Sequence, residues 1–305
     1  MKALVSGATG FLGRAVCARL DDPTILSRDP DRARAALRAS RSYAWDLSAP
    51  PPLDAFDGVE AVLHFAAEPL TGGRFDRSKA RRVRESRVGG TRLLVEAMSR
   101  LERRPAVLVS ASAVGFYGSR GDELLTEESG RGEGALAELC EEWEREALQA
   151  SPLGVRVVTL RIGVVLGPDG GALAKMLPAF RLGLGGRLGS GRQWVPWIHR
   201  DDVAALALFA ARTHALQGAL NAVAPLPARN AELTAALAAV LHRPAALPVP
   251  AAALRLAVGD LAAAVLASQR VVPKRAVEAG FAFAHPDLRE ALRAAVSGER
   301  VSTTA

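Results

Sequence analysis

Short apolar runs alternate with amphipathic stretches over the first two-thirds of this chain. Strand-like runs lie at 3–6, 24–26, 61–65, 106–109, 155–160 and 219–223, with helical periodicity between most of them at 12–20, 31–38, 79–101 and 135–150. Strands that alternate with helices predict a parallel sheet wound on both faces. After Leu160 the rhythm breaks, and Gly167-Pro168-Asp169-Gly170-Gly171 opens a glycine-rich, tryptophan-containing excursion that lasts to about Trp197. A further helix is expected at 201–212. From Pro225 onward the chain is rich in alanine, leucine and proline and reads as helical. The fold class is therefore α/β, a doubly wound parallel sheet with a smaller, mostly helical C-terminal subdomain. Residues 1–167 form the sheet domain, 198–224 return to it, and 168–197 with 225–305 form the substrate side.

The first strand runs straight into a glycine turn and then a helix, spaced Gly7-x-x-Gly10-x-x-Gly13. In that position the pattern reads as a Rossmann dinucleotide fingerprint. Gly7 makes the tight turn, Gly10 admits a pyrophosphate to the backbone, and Gly13 lets helix and strand pack closely. Thr9, Phe11 and Leu12 complete the phosphate cradle at the helix start. The second strand ends in Ser27-Arg28-Asp29, where an acidic residue would usually meet a ribose hydroxyl. A hydroxyl and a guanidinium suit a phosphate instead, which favours NADP(H). Asp29 one place later works against that preference. Asp46 and Leu47, after the third strand-like segment, are expected along the adenine.

Composition narrows the class. The chain has 305 residues, 49% hydrophobic and 23% charged, with a net charge of +7. It contains four lysines, so the basic excess is nearly all arginine. Clusters at Arg28–Arg41 and Arg77–Arg87 lack interleaved aromatics, which argues against nucleic acid as a partner and for solvated helix faces. Cys17 and Cys140 lack the spacing of a disulfide framework or zinc motif, and the five histidines lack ligand spacing, so no metal is expected. The apolar stretch 251–267 is interrupted by Arg255 and Asp260 and reads as a core helix pair, not a membrane span. With no signal peptide before the first strand, a cytoplasmic protein with a small-molecule substrate is expected. The sequence leaves a homodimer open.

The opening fingerprint, Leu63-His64-Phe65-Ala66-Ala67, Ser110-Ala111-Ser112, Leu160–Pro168 and Trp197–Val203 together resemble an extended short-chain dehydrogenase/reductase. Longer phrases sharpen this: Ser110–Gly118, Gly170–Met176, Gly189–Trp194, Gln269–Arg275 and Glu278–Phe283 are similar to the atypical epimerase family proteins. Those proteins join an NAD-dependent epimerase/dehydratase-type domain to a C-terminal domain of unknown function. The resemblance runs to about residue 295. It implies cofactor contacts from Phe65, Ala66, Ala67, Ser110, Ala111 and Arg161, and an NADP(H)-binding epimerase or oxidoreductase acting on a nucleotide-sugar-like or other small carbonyl substrate.

One departure bears on mechanism. The wider superfamily uses a Tyr-x-x-x-Lys pair, whereas Tyr43 and Tyr117 here are followed at four residues by Leu47 and Gly121. The matching helix carries Leu136 and Cys140, and an apolar stripe makes Cys140 a buried, inert thiol. Three residues are candidates for the proton chemistry. Ser112 either holds a substrate oxygen or satisfies local backbone. Tyr117 either turns inward as acid/base or packs, and Glu68 either does acid/base work or caps a helix start. In the excursion, Arg192, Gln193, Trp194 and Trp197 are candidate substrate contacts on a lid, or else packing residues. A catalytically silent NADP(H)-binding sensor remains the alternative to an enzyme.

Overall fold

The structure, a computed structural model, describes residues 1–70 and 75–298. Seven strands make one sheet: β1 (Ala3–Ser6), β2 (Thr24–Ser27), β3 (Ser42–Ala44), β4 (Ala61–His64), β5 (Val107–Ala113), β6 (Arg156–Ile162) and β7 (Gly218–Ala222). Their spatial order is β7-β6-β5-β4-β1-β2-β3, and every pairing is parallel. The order reverses between β1 and β4, the place where such sheets open a ligand crevice. β5 and β6 run further than expected, so Ser110, Ser112 and Arg161 are strand residues.

The strands are apolar almost throughout because both faces are covered. Successive residues point to opposite faces. Val5, Leu63, Val109 and Val158 join one core with Val16, Val203 and Leu206, while Leu4, Val62, Leu108 and Val157 join the other with Leu94 and Met98. The helices up to residue 212 are α1 (Phe11–Cys17), α2 (Pro30–Leu37), α3 (Arg77–Arg84), α4 (Gly90–Ser99), α5 (Ala135–Leu148), α6 (Gly171–Arg181) and α7 (Arg200–Arg212), of which α1, α2, α4, α5 and α7 line these two cores. The stretch expected as one helix at 79–101 is α3 and α4 joined through a π-helical turn, Glu85–Gly89.

One expectation is corrected and another gains detail. The excursion after Gly167 is not irregular throughout. It contains α6, whose Leu173, Leu177 and Phe180 are buried, and Trp197–His199 pairs with Val164–Leu166 as a short parallel ribbon. The glycines at its start hid a helical spacing of apolar residues. The correction concerns 251–267, which forms α9 (Ala251–Val258) and α10 (Leu261–Leu266) but not a core pair. α9 buries none of its residues and α10 buries only Ala262.

The C-terminal part also contains α8 (Asn230–Leu241), α11 (Lys274–Glu278) and α12 (Leu288–Ser297). Leu233, Leu237 and Leu292 pack with Leu166, Leu173 and Trp197 in a third core. The segment between α10 and α11 returns to the sheet domain. Arg270–Val271 pairs with Leu124–Leu125, and Gln269 Nε2 donates to the carbonyls of Val114 and Gly118, both at 2.8 Å. No helix among the described residues is long and apolar enough to cross a membrane.

Candidate active site and dinucleotide cradle

The cradle is built from contacts that leave no room for side chains. Gly7 has φ +67°, and a Cβ there would stand 2.7 Å from the backbone of Phe65 and Ala66 at the end of β4. At Gly13 a Cβ would come within 2.1 Å of the Gly7 carbonyl, so the approach of α1 to β1 requires glycine. Gly10 differs. A Cβ there would meet only the Gly7 carbonyl, at 3.0 Å, and faces open space otherwise. Gly10 is the N-cap of α1, without a side-chain cap and without a carboxylate in the first turn. Unclaimed N–H groups and the positive helix end are therefore offered to an anion, and the residues present fit a dinucleotide pyrophosphate. The 167–171 loop folds over this turn. Asp169 pairs with Arg14 and Arg200, and Gly170 abuts the Phe11 ring.

At the end of β2 the competition between Arg28 and Asp29 is resolved locally. The Asp29 carboxylate accepts the Arg32 N–H at 3.1 Å as the N-cap of α2. Ser27 Oγ accepts the Asp29 N–H. Arg28 is exposed and forms no ion pair among the described residues. Asp46 holds the Ser48 hydroxyl and N–H, bonds that keep its carboxyl below the usual range. Leu47 adopts φ +71° and packs on Gly90.

Glu68 is engaged in an ion pair within the protein. Its carboxylate accepts from Lys79 Nζ at 2.9 Å, and Arg82 and Arg28 are close enough to act on it. The Lys79 hydrogen bond, its charge and then the two arginines hold the Glu68 carboxyl below the usual range. This places Glu68 toward Arg28. The Glu68 backbone is pinned by the π-helical turn, through Ser86 Oγ and Arg87 Nη1. Lys79, read from sequence as part of a solvated basic face, is buried.

The C-terminal end of β5 carries the other polar cluster. Ser112 Oγ donates to Glu144 Oε1 at 2.7 Å. Arg161 clasps the same carboxylate, with Nε to Oε1 and Nη2 to Oε2, both at 2.8 Å. Burial alone would push the Arg161 guanidinium down, but Glu144 more than reverses this and holds it above its ordinary value. Arg161 Nη1 also donates to the Tyr117 hydroxyl at 3.0 Å, and its guanidinium lies 3.5 Å from the centroid of Phe116. The Tyr117 hydroxyl donates to Asn221 Oδ1 at 2.7 Å. Tyr117 is fully buried, and burial pushes its phenol up. Arg161, expected at the cofactor, thus has its guanidinium satisfied within the protein. Glu144 was absent from the sequence reading as a functional residue. It lies one helical turn beyond Cys140, on the same face of α5 as the missing Tyr-x-x-x-Lys positions, and that spacing was the available signal.

His64, at the end of β4, bridges Ser6 Oγ of β1 (2.6 Å) and Thr91 Oγ1 of α4 (3.1 Å). Burial pushes it down to about 4, so the imidazole is neutral. Cys140 is buried, as expected, and burial followed by the Glu144 charge pushes its thiol up to about 12. Ser110 and Ala111 are buried on β5.

The NAD dependent epimerase/dehydratase family matches residues 3–222. The chain belongs to that family. A domain of unknown function, DUF1731, matches residues 249–295. The chloroplastic epimerase family protein SDR39U1 homolog of Arabidopsis thaliana is 41% identical over 96% of this chain and 86% of its own length. The crystal structure of human epimerase family protein SDR39U1 (isoform 2) with NADPH superposes with a TM-score of 0.89 and 32% identity, covering 98% of this chain and 100% of that one. A nucleoside-diphosphate sugar epimerase from Corynebacterium glutamicum is 32% identical with a TM-score of 0.77, covering 99% of this chain and 59% of that longer one. This member of the epimerase/dehydratase family is thus an NAD(P)(H)-binding epimerase/oxidoreductase by fold and relationship.

In this family member two of the four candidate substrate contacts, Gln193 and Trp197, are buried. Trp197 is buried in the third core and its Nε1 donates to the Leu226 carbonyl. Gln193 is buried, with Nε2 on the Leu188 carbonyl. Trp194 Nε1 donates to Asp122, and its ring centroid lies 4.4 Å from the Arg229 guanidinium and 5.0 Å from that of Arg270. Arg192 is exposed. The tryptophans anchor the C-terminal part to the sheet domain, because indole buries a large area while its N–H still finds a partner.

Proposed function

We propose that the protein is an NADP(H)-preferring epimerase/oxidoreductase acting on a nucleotide-sugar-like substrate, with Ser112 and Glu144 handling the proton in place of a Tyr–Lys pair. Gly7, Gly10, Gly13 and the start of α1 would hold the pyrophosphate, and Ser27 with Arg28 the 2′-phosphate. The nicotinamide supplies or accepts hydride when bound. The substrate class is supported by the nucleoside-diphosphate sugar epimerase among its relatives.

The observation that carries this reading is the direction of the Ser112 hydrogen bond. Its proton is committed to Glu144, which leaves the oxygen lone pairs to receive the proton of a substrate hydroxyl. As that proton reaches Ser112 Oγ, the serine proton passes to Glu144 Oε1, and the reverse path returns it. Arg161 orients the carboxylate and keeps its charge matched inside the fold. Tyr117 is a positioning residue that braces Arg161 through Asn221. Glu68, ionised and paired with Lys79, organises the Arg28 side of the cleft.

Two measurements test this. NADPH should bind about ten- to a hundredfold tighter than NADH, and Arg28→Ala should erase the difference, as expected for one charge-assisted phosphate contact. Equal affinities in the wild type would overturn the cofactor preference. Ser112→Ala should lower turnover of UDP-sugars by roughly a hundred- to ten-thousandfold with NADPH affinity unchanged. Undiminished turnover would remove Ser112 from the chemistry, and a wild type that binds NADPH without turning over any sugar nucleotide would favour the silent sensor.

A further inference from the structure

Two imidazoles from distant parts of the chain meet at the start of α7. His199 caps that helix and is 1% exposed, and His285, just ahead of α12, is 4% exposed. Their ring centroids are 3.9 Å apart with planes inclined by 42°. His199 Nδ1 accepts the Asp201 N–H at 3.2 Å, so in the metal-free protein Nε2 carries the ring proton; ligation through Nε2 moves that proton to Nδ1 and gives up the capping bond. Nε2 of His199 and Nε2 of His285 are both buried without a hydrogen-bond partner. Buried polar atoms are nearly always satisfied, so two orphaned nitrogens on adjoining rings require an explanation.

A carboxylate completes the group. His199, Asp201 and His285 each bring one ligand atom within 4.8 Å of the other two. The present partners of Asp201 are loose: Arg19 Nη2 is 3.8 Å away and Arg200 Nε 3.5 Å away, longer than a charge-assisted hydrogen bond. Both arginines also have other acceptors, Arg200 in Asp169 and Arg19 in the Ala15 carbonyl, so Asp201 can turn to a cation without stranding either. Asp202 accepts the N–H groups of Ala284 (2.8 Å) and His285 (3.0 Å), and this fixes the backbone that presents the His285 ring.

We propose that His199, Asp201 and His285 form a divalent transition-metal site of the zinc class, which staples the C-terminal domain to the sheet domain. Two imidazole nitrogens and one carboxylate oxygen suit zinc, whereas calcium and magnesium prefer oxygen shells. Zinc bonds of about 2.0–2.2 Å put neighbouring tetrahedral ligands about 3.4 Å apart, and small side-chain rotations close the wider spread. Water fills the fourth position. The histidines come from two different domains, so spacing along the chain gave no sign of the site. The proposal is independent of the cofactor and proton assignments above.

The test uses tag-free, full-length protein stripped with a chelator. Zinc is titrated by calorimetry, and cobalt(II) is followed through its visible d–d absorption. One zinc per chain is expected, with a cobalt spectrum of four-coordinate intensity and a melting temperature raised by zinc. His285→Phe, which keeps a packed ring, and Asp201→Asn should each weaken zinc binding at least roughly a hundredfold, since even outer-shell partners of a metal are worth ten- to a hundredfold. Far-ultraviolet circular dichroism confirms that the variants are folded; where one is not, the other variant and the wild-type cobalt spectrum decide. A wild type that binds no zinc, a cobalt spectrum of purely aqueous type, or zinc affinity unchanged in a folded variant overturns the site.

Discussion

Glu144→Gln is expected to lower the stability of the fold by about 3–5 kcal/mol, the usual cost of removing one partner from a buried ion pair. Arg161 and Glu144 side chains are 7% and 9% exposed, so solvent screens little of their interaction. Glutamine preserves the shape but leaves the guanidinium charge without a counter-charge, beside Phe116 and Tyr117. For a domain of this size the loss corresponds to a melting temperature lower by roughly 6–20 °C. Removing both partners, as Glu144→Leu with Arg161→Leu, should recover much of that loss, because no uncompensated charge remains. Thermal denaturation of the three variants checks this. A Glu144→Gln protein that melts within a degree of wild type would mean that the pair carries no structural weight, and the orientation of Ser112 would then need another source.

Glycine substitutions in the cradle should separate binding from folding. Gly10→Val is expected to weaken NADPH binding at least roughly a hundredfold while costing the fold about 1–2 kcal/mol, since the new side chain points into space reserved for the pyrophosphate. The only close approach for a Cβ there is the Gly7 carbonyl at 3.0 Å. Gly13→Val is expected to prevent stable folding, because its Cβ would stand 2.1 Å from a backbone oxygen that cannot move without separating α1 from β1. Cofactor titration together with circular dichroism distinguishes the two. A folded Gly10→Val protein that retains NADPH would place the cofactor elsewhere, and a stable Gly13→Val protein would contradict the close packing of α1.

Local chemistry made the candidate cofactor cradle legible. The glycine turn, the strand ends and the Ser27-Arg28 dipeptide are contiguous in sequence, and each acts within a few residues of itself. The role of Asp29 was also local, although its use as the α2 N-cap became plain only with the backbone in view. By contrast, the proton-handling group is non-local. Ser112, Glu144 and Arg161 come from β5, α5 and β6, and nothing in their separate surroundings says that they touch. Tyr117 shows the same limit from the other side. It joins the Ser112 cluster through Arg161, but its burial and its bond to Asn221 depend on β7 and on the Gln269–Arg275 return.

The amino-acid sequence by itself determined the parallel doubly wound sheet, its glycine cradle and the absence of a Tyr–Lys pair, because short continuous apolar runs and turn glycines act through the backbone over short distances. Only the tertiary structure decided which charges are buried together. Lys79 with Glu68, Arg161 with Glu144 and His199 with His285 are each joined by packing of separate elements. Their partners, not their positions in the chain, determine whether a polar side chain meets solvent, a ligand or another buried group.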